Sequence, residues 1–360
     1  MRGISTTQHE VNKARDLVLR YGWNSTCFQI VNPGFEYWFG KDGESVIGYV
    51  STKTSRIVGG APICPKGALP QVTAEFEKEA TSVGQSVCYF GAEARLESLY
   101  HDSKDHAKVL LGAQPAWHPA NWSQAVAEKS SLRAQLNRAA NKGVVIAEWP
   151  TEKAHDNPLL WECLSKWLDT KGLPPLRFMI ESATLRDLEG RRIFVAEYKN
   201  KVVAFLVLAP IPERSGWLTE QFPHTPAAPN GTVELLMDHA FRKVAAEGSQ
   251  YVTLGLSPLS RRAEITSFEN PLWLKAFLAW MRKHGQRFYN FDGLDAFKAK
   301  MNPEFWEPIY AISNEKEFSR QTLFAIGSVF SGNRPFTVFG KGLLRAAGTE
   351  LAGLKRRVAG

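Results

Sequence analysis

Two apolar runs separated by the dipeptide Lys199-Asn200 place the strongest constraint on how this 360-residue chain can fold. The runs, Arg192–Tyr198 and Lys201–Ala209, are rich in Val, Ile, Phe and Leu, which is typical of buried strands. Because the turn between them is so short, they predict an antiparallel hairpin. Apolar periodicity predicts further elements around this hairpin: helix Asn157–Thr170, strand Trp217–Gln221, loop Thr225–Gly231, helix Thr232–Gly248, strand Tyr251–Leu256 and helix Leu272–His284.

This order of elements is that of an acetyltransferase-like α/β fold. The first 120 residues follow the same order more loosely, with predicted strands Tyr37–Phe39, Ser45–Val50, Ser55–Gly60, Ser86–Phe90 and Lys108–Leu111 and helices Pro70–Val83 and Glu93–Tyr100. We therefore predict an α/β chain of tandem acetyltransferase-like (GNAT) domains with mixed sheets. The predicted divisions are an N-terminal domain 1–120, a basic connecting helix 121–150, a catalytic domain 151–315 and an amphipathic basic tail 316–360.

Two local predictions concern the connection between the units. The segment Gly112–Trp122 contains two prolines and two tryptophans, and we interpret it as an irregular connector. Trp122–Lys142 is predicted to be one long helix that ends at Gly143, because glycine commonly follows a helix C-terminus.

Composition narrows the function classes without choosing one. The net charge is +8 and 44% of residues are hydrophobic, which indicates a globular chain with an affinity for anionic partners. The four cysteines form no Cys-x-x-Cys motif and lie apart from histidine, so neither a disulfide framework nor a metal or cofactor site is expected. The sequence contains no signal peptide and no long apolar run, so we expect a cytoplasmic location, with a peripheral position on the inner face of the membrane as an open alternative.

The segment Ser130–Gly143 is basic and contains no acidic residue. At helical spacing Arg133 and Asn137 share one face, as do Arg138 and Lys142. Cationic groups without nearby carboxylates favour a phosphate-binding surface, and a simple solvated helix face is the alternative.

The stretch 287–310 contains a second group of cations. Phe288–Asp292 is predicted to be a strand, Gly293 to break it, Asp295–Lys300 to be helical, and Trp306–Ile309 to be extended. Lys298 and Lys300, beside several aromatic residues, could hold an anionic ligand. Solvated lysines on an ordinary turn-helix are equally compatible with the pattern.

The tail contains an apolar, basic amphipathic segment, Leu343–Val358. Such a helix fits the surface of an anionic bilayer. A helix docked on the second domain is the alternative.

Four segments occur in an order and spacing that resemble one family: Leu132–Arg138 with Gly143, Ala228–Leu236, Leu254–Leu259, and Tyr289–Lys300 with Pro303 and Trp306. Over roughly residues 10–312 the chain resembles the soluble catalytic domain of the phosphatidylglycerol lysyltransferases, also called aminoacyl-phosphatidylglycerol synthases. The resemblance implies an aminoacyl-tRNA donor and an anionic phospholipid, or another hydroxyl or amine, as acceptor. Family members usually carry a membrane flippase before this domain, and this sequence resembles the stand-alone form without one.

The resemblance also implies the site. Glu234 matches an acidic position of the family and is expected to be the base or to bind the amino acid's ammonium. Lys298, Asp292 and Arg133 are the other expected catalytic residues. The expected substrate-binding residues are Asn137, Arg138, Glu220, His224, Asn230, Ser257, Tyr289, Asn290 and Lys300. At Glu220 the family has an acid followed closely by arginine, a place that only His224 can fill here, which leaves amino-acid specificity open.

Two other functions stay open. Acyl-CoA enzymes bind pyrophosphate in a Gly-rich cradle between a strand and a helix N-terminus. Neither Pro210–Gly216 nor Pro229–Thr232 has that composition, which disfavours an acyl-CoA-dependent N-acyltransferase. A non-catalytic module that binds anionic membranes through its tail is the remaining alternative.

Overall fold

The computed structural model describes residues 6–170, 178, 182–263, 270–276 and 291–331. The predicted tail helix and the predicted site residues Tyr289 and Asn290 lie outside these ranges. The strands are β1 (Glu36–Phe39), β2 (Val46–Ser51), β3 (Ser55–Gly59), β4 (Ser86–Ala92), β5 (Ala107–Trp117), β6 (Val145–Trp149), β7 (Arg192–Tyr198), β8 (Lys201–Ile211), β9 (Gly216–Gln221), β10 (Tyr251–Thr253), β11 (Ser257–Pro258) and β12 (Phe305–Ser313). The helices are α1 (Gln8–Tyr21), α2 (Leu69–Ser82), α3 (Ala94–Leu99), α4 (Trp122–Glu128), α5 (Ser130–Asn141), α6 (Thr151–Ala154), α7 (Pro158–Asp169), α8 (Thr232–Ala246), α9 (Phe291–Lys300) and α10 (Arg320–Phe330).

One mixed sheet of twelve strands runs through the molecule in the order β1-β2-β3-β4-β12-β5-β10-β9-β8-β7-β6, with β11 paired to β5. A motif occurs twice in it. Strands β1, β2 and β3 are antiparallel, and α2 then connects β3 to its parallel neighbour β4. Strands β7, β8 and β9 are likewise antiparallel, and α8 connects β9 to its parallel neighbour β10. The predicted α/β class with mixed strand directions is confirmed.

The two copies of the motif interlock at the centre of the sheet. Strand β12 lies between β4 and β5, pairing antiparallel with both, although it comes almost 200 residues later in the chain than either. Strand β5 in turn pairs with β10 of the second copy. Strands from the predicted units 1–120 and 151–315 thus form one hydrogen-bonded sheet.

Alternation along β5 gives the two faces of the sheet different neighbours. Trp117 packs on the face covered by α8, where Trp122 meets Phe241 edge-on at a ring-centroid distance of 4.9 Å. Ala116 faces the opposite way and shares a core with Tyr251 and with residues of α1. We call these faces the α8 side and the α1 side.

The central hairpin is confirmed, and its turn explains its register. Lys199 and Asn200 have φ values of 51° and 59°, as the two central residues of a type I′ turn require. Tyr198 and Lys201 are accordingly paired across the turn.

Three local predictions were wrong. Residues 112–117 of the predicted connector extend β5, because they pair with β12. The predicted helix Trp122–Lys142 is divided into α4 and α5 at Lys129, whose backbone is extended (φ −108°, ψ 92°). Phe291 and Asp292 begin α9 and are not part of a strand, and Gly293 lies within that helix. Of the predicted helix Leu272–His284, residues 272–276 are helical and the rest lies outside the described ranges.

Candidate functional site

The N-terminus of α8 packs against the middle of α5. Gly231 precedes α8 with φ 93°, and a Cβ at this position would lie 2.1 Å from the carbonyl oxygen of Gln135. Only glycine permits both this backbone conformation and this close approach. The packing brings the loop containing Asn230, and the first turn of α8, next to the basic helix.

Glu234 in the first turn of α8 forms an ion pair with Lys300 at the end of α9, with 2.5 Å between Oε1 and Nζ. The Glu234 side chain is 9% exposed and that of Lys300 31%. Backbone N–H groups at a helix N-terminus stabilise a carboxylate there. Two residues that the sequence predicted separately, from segments more than 60 positions apart, are therefore in direct contact.

Lys298 lies on the buried face of α9. Its Nζ donates hydrogen bonds of 2.8 Å to the carbonyl oxygens of Leu254, Gly255 and Leu256. Burial lowers its pKa to about 7, and the nearby Asp295 carboxylate opposes that shift. Three donated hydrogen bonds require the ammonium form, because a neutral amine has only two N–H groups.

These contacts place α9 across the ends of two parallel strands. The pairing of β9 with β10 ends at Leu218 and Thr253, and β9 continues to Gln221. Beyond that point Phe297 of α9 stacks on Phe222 at 5.9 Å, while Lys298 binds the carbonyls that follow β10. Helix α9 therefore packs beside the end of β9 and is tied to the segment that follows β10.

Ser257 lies beside a carboxylate that the sequence analysis missed. Its Oγ is 3.3 Å from Asp295 of α9, and Arg262 is ion-paired with the same carboxylate at 2.7 Å. Burial would raise the pKa of Asp295, but hydrogen bonds from Ser260, Arg262 and Ser257 lower it overall. The position of Asp295, three residues before Lys298 on one helix face, was the available signal.

The basic residues of α5 differ in their surroundings. Arg133 donates through Nη1 to the carbonyl oxygens of Val126 and Ala127 and so binds the C-terminal end of α4. Asn137 and Arg138 are exposed, and their side chains form no hydrogen bond or ion pair with residues in the described ranges. Asn230 is also exposed.

Glu220 and His224 lie apart from this arrangement of contacts. Glu220 is 3% exposed and forms an ion pair with Arg191 at 2.7 Å, and it accepts a further hydrogen bond from Asn32. The cation beside this acid is thus Arg191, from the turn before β7. His224 is exposed and bridges to Ala204. Asp292 is half-buried in the first turn of α9.

Sequence comparison identifies the family of this chain. The family described as "Phosphatidylglycerol lysyltransferase, C-terminal" matches residues 15–313. The chain belongs to this family. The match includes the α8 N-terminus, α9 and the strands that position them.

Members of the lysyltransferase family are similar to the chain at modest identity. The phosphatidylglycerol lysyltransferase of Bacillus subtilis is 24% identical over 293 residues, which are 81% of this chain and 33% of that protein. A Staphylococcus aureus protein of the same name is 22% identical over 84% of this chain and 35% of its own length. The chain thus spans about a third of the length of these relatives.

Solved structures share the fold. The C-terminal domain of a protein named as a lysylphosphatidylglycerol synthetase from Agrobacterium fabrum has a TM-score of 0.76 at 22% identity, covering 90% of this chain and 97% of that one. The structure named L-PGS from Bacillus licheniformis has a TM-score of 0.72 at 20% identity, covering 92% and 95%. In the part of the chain that the structure describes, no helix is both long and apolar enough to cross a bilayer.

Proposed function

We propose that this chain transfers an amino acid from an aminoacyl-tRNA to a phospholipid hydroxyl, with phosphatidylglycerol as the first acceptor to test. Membership of the lysyltransferase family supports the reaction class. The names of the relatives support the acceptor. The tRNA donor is our own extension, and it is supported by the exposed cations of α5.

The observation that carries the proposal is the Glu234–Lys300 ion pair at the N-terminus of α8. This helix N-terminus follows a strand, and in an acyl-CoA enzyme a Gly-rich turn at such a position would hold pyrophosphate. Here the first turn carries a carboxylate, which would repel a pyrophosphate. The same carboxylate could accept a proton from an attacking hydroxyl or bind an ammonium group.

The proposed reaction is an ester exchange. The acceptor hydroxyl oxygen attacks the carbonyl carbon of the aminoacyl ester, and its proton passes to Glu234. The carbon–oxygen bond to the tRNA ribose then breaks, and the ribose oxygen takes the proton back from Glu234. Lys300 keeps the Glu234 carboxylate oriented and is close enough to contribute positive charge to the oxyanion.

Lys298 has a different proposed role. Its three N–H groups are donated to backbone carbonyls, so a phosphate would have to displace protein contacts to reach it. We infer that Lys298 is a positioning residue that holds the segment 254–256 against α9. Ser257, which follows this segment, and Asp292 of α9 are proposed to line the substrate pocket.

The test is transfer of a radiolabelled amino acid. The full chain is incubated with tRNA charged with the labelled amino acid and with vesicles containing phosphatidylglycerol, and label in the organic phase is counted. We expect label in lipid with at least one charged tRNA, and a loss of that label with Glu234→Gln. An absence of transfer from every charged tRNA, combined with saturable binding of coenzyme A, would replace this proposal with an acyl-CoA-dependent reaction.

A further inference from the structure

A buried polar cluster lies on the α1 side of the sheet, at its centre. We call it the central polar cluster, and it consists of Glu93, Gln114, Arg214, Tyr251 and Glu307. Its members come from the β4–α3 junction, β5, the β8–β9 connection, β10 and β12. Gln114 has the same side orientation as Ala116, two residues further along β5, so the cluster is on the opposite side of the sheet from α8.

Most of the hydrogen-bonding groups in the cluster are paired. Gln114 Nε2 donates to Glu93 Oε1 at 3.2 Å and to Glu307 Oε2 at 2.8 Å, and Tyr251 donates to Glu307 at 2.5 Å. Arg214 forms two hydrogen bonds with Glu307, at 2.9 and 3.0 Å, and its guanidinium lies 4.2 Å from the centre of the Tyr251 ring. Glu307 is therefore well compensated.

Glu93 is less well compensated. Its side chain is 3% exposed, and Oε1 accepts from Ser25 N–H and Gln114. Oε2 has no hydrogen-bond donor among the described residues, and Arg214 Nη2 approaches it only to 3.4 Å. Burial raises the pKa of Glu93, and the Arg214 charge only partly offsets this. A buried carboxylate oxygen without a donor is costly unless a cation or donor reaches it.

The charges of the cluster define what would fit. Two carboxylates surround one guanidinium, which leaves one negative charge. Oxygen acceptors and the face of an aromatic ring are the groups that bind a primary ammonium. Access is from the rim, where the side chains of Glu307 and Arg214 are 23% and 27% exposed.

We propose that the central polar cluster binds a primary ammonium group, with Glu93 Oε2 and Glu307 as its acceptors. The biological ligand, which rests on the proposed function, is an amino group of the aminoacyl moiety that is transferred. Glu234 is then left to accept the proton of the acceptor hydroxyl. Two sources of ammonium have the same chemistry: the α-amino group of any amino acid and the side-chain amino group of a lysine-like one.

Titration calorimetry of the full chain with four small amides tests the site and separates these sources. Lysinamide carries both ammonium groups, norleucinamide only the α-ammonium, 6-aminohexanamide only the terminal one, and hexanamide none. We expect lysinamide to bind and hexanamide not to bind. Binding of norleucinamide assigns the site to the α-ammonium, and binding of 6-aminohexanamide assigns it to the side chain.

Two variants keep the shape of the cluster while removing charge. Glu93→Gln and Glu307→Gln should each weaken lysinamide binding at least tenfold. Glu79→Gln, which removes the carboxylate from a separate ion pair with Arg56 on α2, should leave it unchanged. Thermal melting checks that each variant is folded, and Glu93→Asp, which retains the charge, serves if Glu93→Gln is not.

Two outcomes would overturn the proposal: equal affinity for hexanamide and lysinamide, or unchanged lysinamide affinity in both glutamine variants. The latter result would mean that solvent satisfies Glu93 Oε2. If the wild type binds lysinamide through the cluster but transfers nothing from charged tRNA, the site stands and the proposed function fails. If it transfers amino acid while both variants retain full affinity, the function stands and the site fails.

Discussion

The contact between Glu234 and Lys300 makes a prediction that neither residue makes alone. We expect Glu234→Gln to lower the transfer rate about 100-fold, the typical contribution of a positioned base, and Lys300→Met to lower it similarly. Because each residue acts through the other, the double variant should be little worse than either single one. Label counted in lipid gives the rates. Glu247→Gln, at the other end of α8 and paired with Arg192, is the control, and additive losses in the double variant would contradict a shared role.

Glu93 predicts an unusual dependence of stability on pH. Its pKa in the folded chain is raised above the ordinary 4.5 by burial, in spite of Arg214 and the hydrogen bonds from Ser25, and with Glu307 adding to the rise. Between those two pKa values the folded chain binds more protons than the unfolded chain, so stability falls as pH rises through this window. We expect the free energy of unfolding of wild type, relative to that of Glu93→Gln, to decrease from pH 4 upward and then level off. Urea titrations at each pH measure it, and a constant difference would show that Glu93 titrates normally.

The packing of α5 on α8 depends on one glycine. In Gly231→Ala the new methyl group would meet the Gln135 carbonyl at 2.1 Å, with the backbone at φ 93°. We expect a loss of about 2–4 kcal/mol in the free energy of unfolding. Gly143→Ala is a matched control: φ is also positive, at 85°, but no atom lies within 4 Å, so about 1 kcal/mol should be lost. Denaturation in urea compares the two, and equal losses would mean that the close contact relaxes easily.

Helix α5 makes a prediction about salt. Arg138 is exposed and has no ion-pair partner within the described ranges, so it is available to a tRNA phosphate. Arg138→Ala should weaken tRNA binding and reduce the slope of log K against log salt by about one. Fluorescence titration with uncharged tRNA at several salt concentrations measures the slope. Lys78→Ala, an exposed lysine of α2 in the other half of the sheet, should leave it unchanged. An equal change in both variants would indicate that the effect comes from net charge.

The elements that could be predicted from sequence are those whose signals are local. The hairpin of β7 and β8 and the helices α2 and α8 follow from composition and periodicity within a single window. The end of β5 could not be predicted, because its partner β12 is distant in sequence. The break at Lys129 also escaped prediction, since neither proline nor glycine marks it. In the site, Glu234 and Lys300 were both singled out, but their contact depends on the packing of α9 over α8.

The central position of β12 predicts that the chain unfolds as a unit. A fragment of residues 1–120 would contain β4 and β5 but not the strand between them, so both would expose unpaired edges and the apolar side chains that β12 covers. We expect this fragment to be unfolded or aggregated, in spite of being as long as an ordinary domain. A chain cut between residues 120 and 121, with both pieces co-expressed, should in contrast associate, because every strand is then present. Hydrogen exchange of the intact chain should give similar protection at the centre of the sheet on both sides of β12. A well-folded 1–120 fragment with native-like amide dispersion would contradict this interlocked arrangement and would support two independent domains.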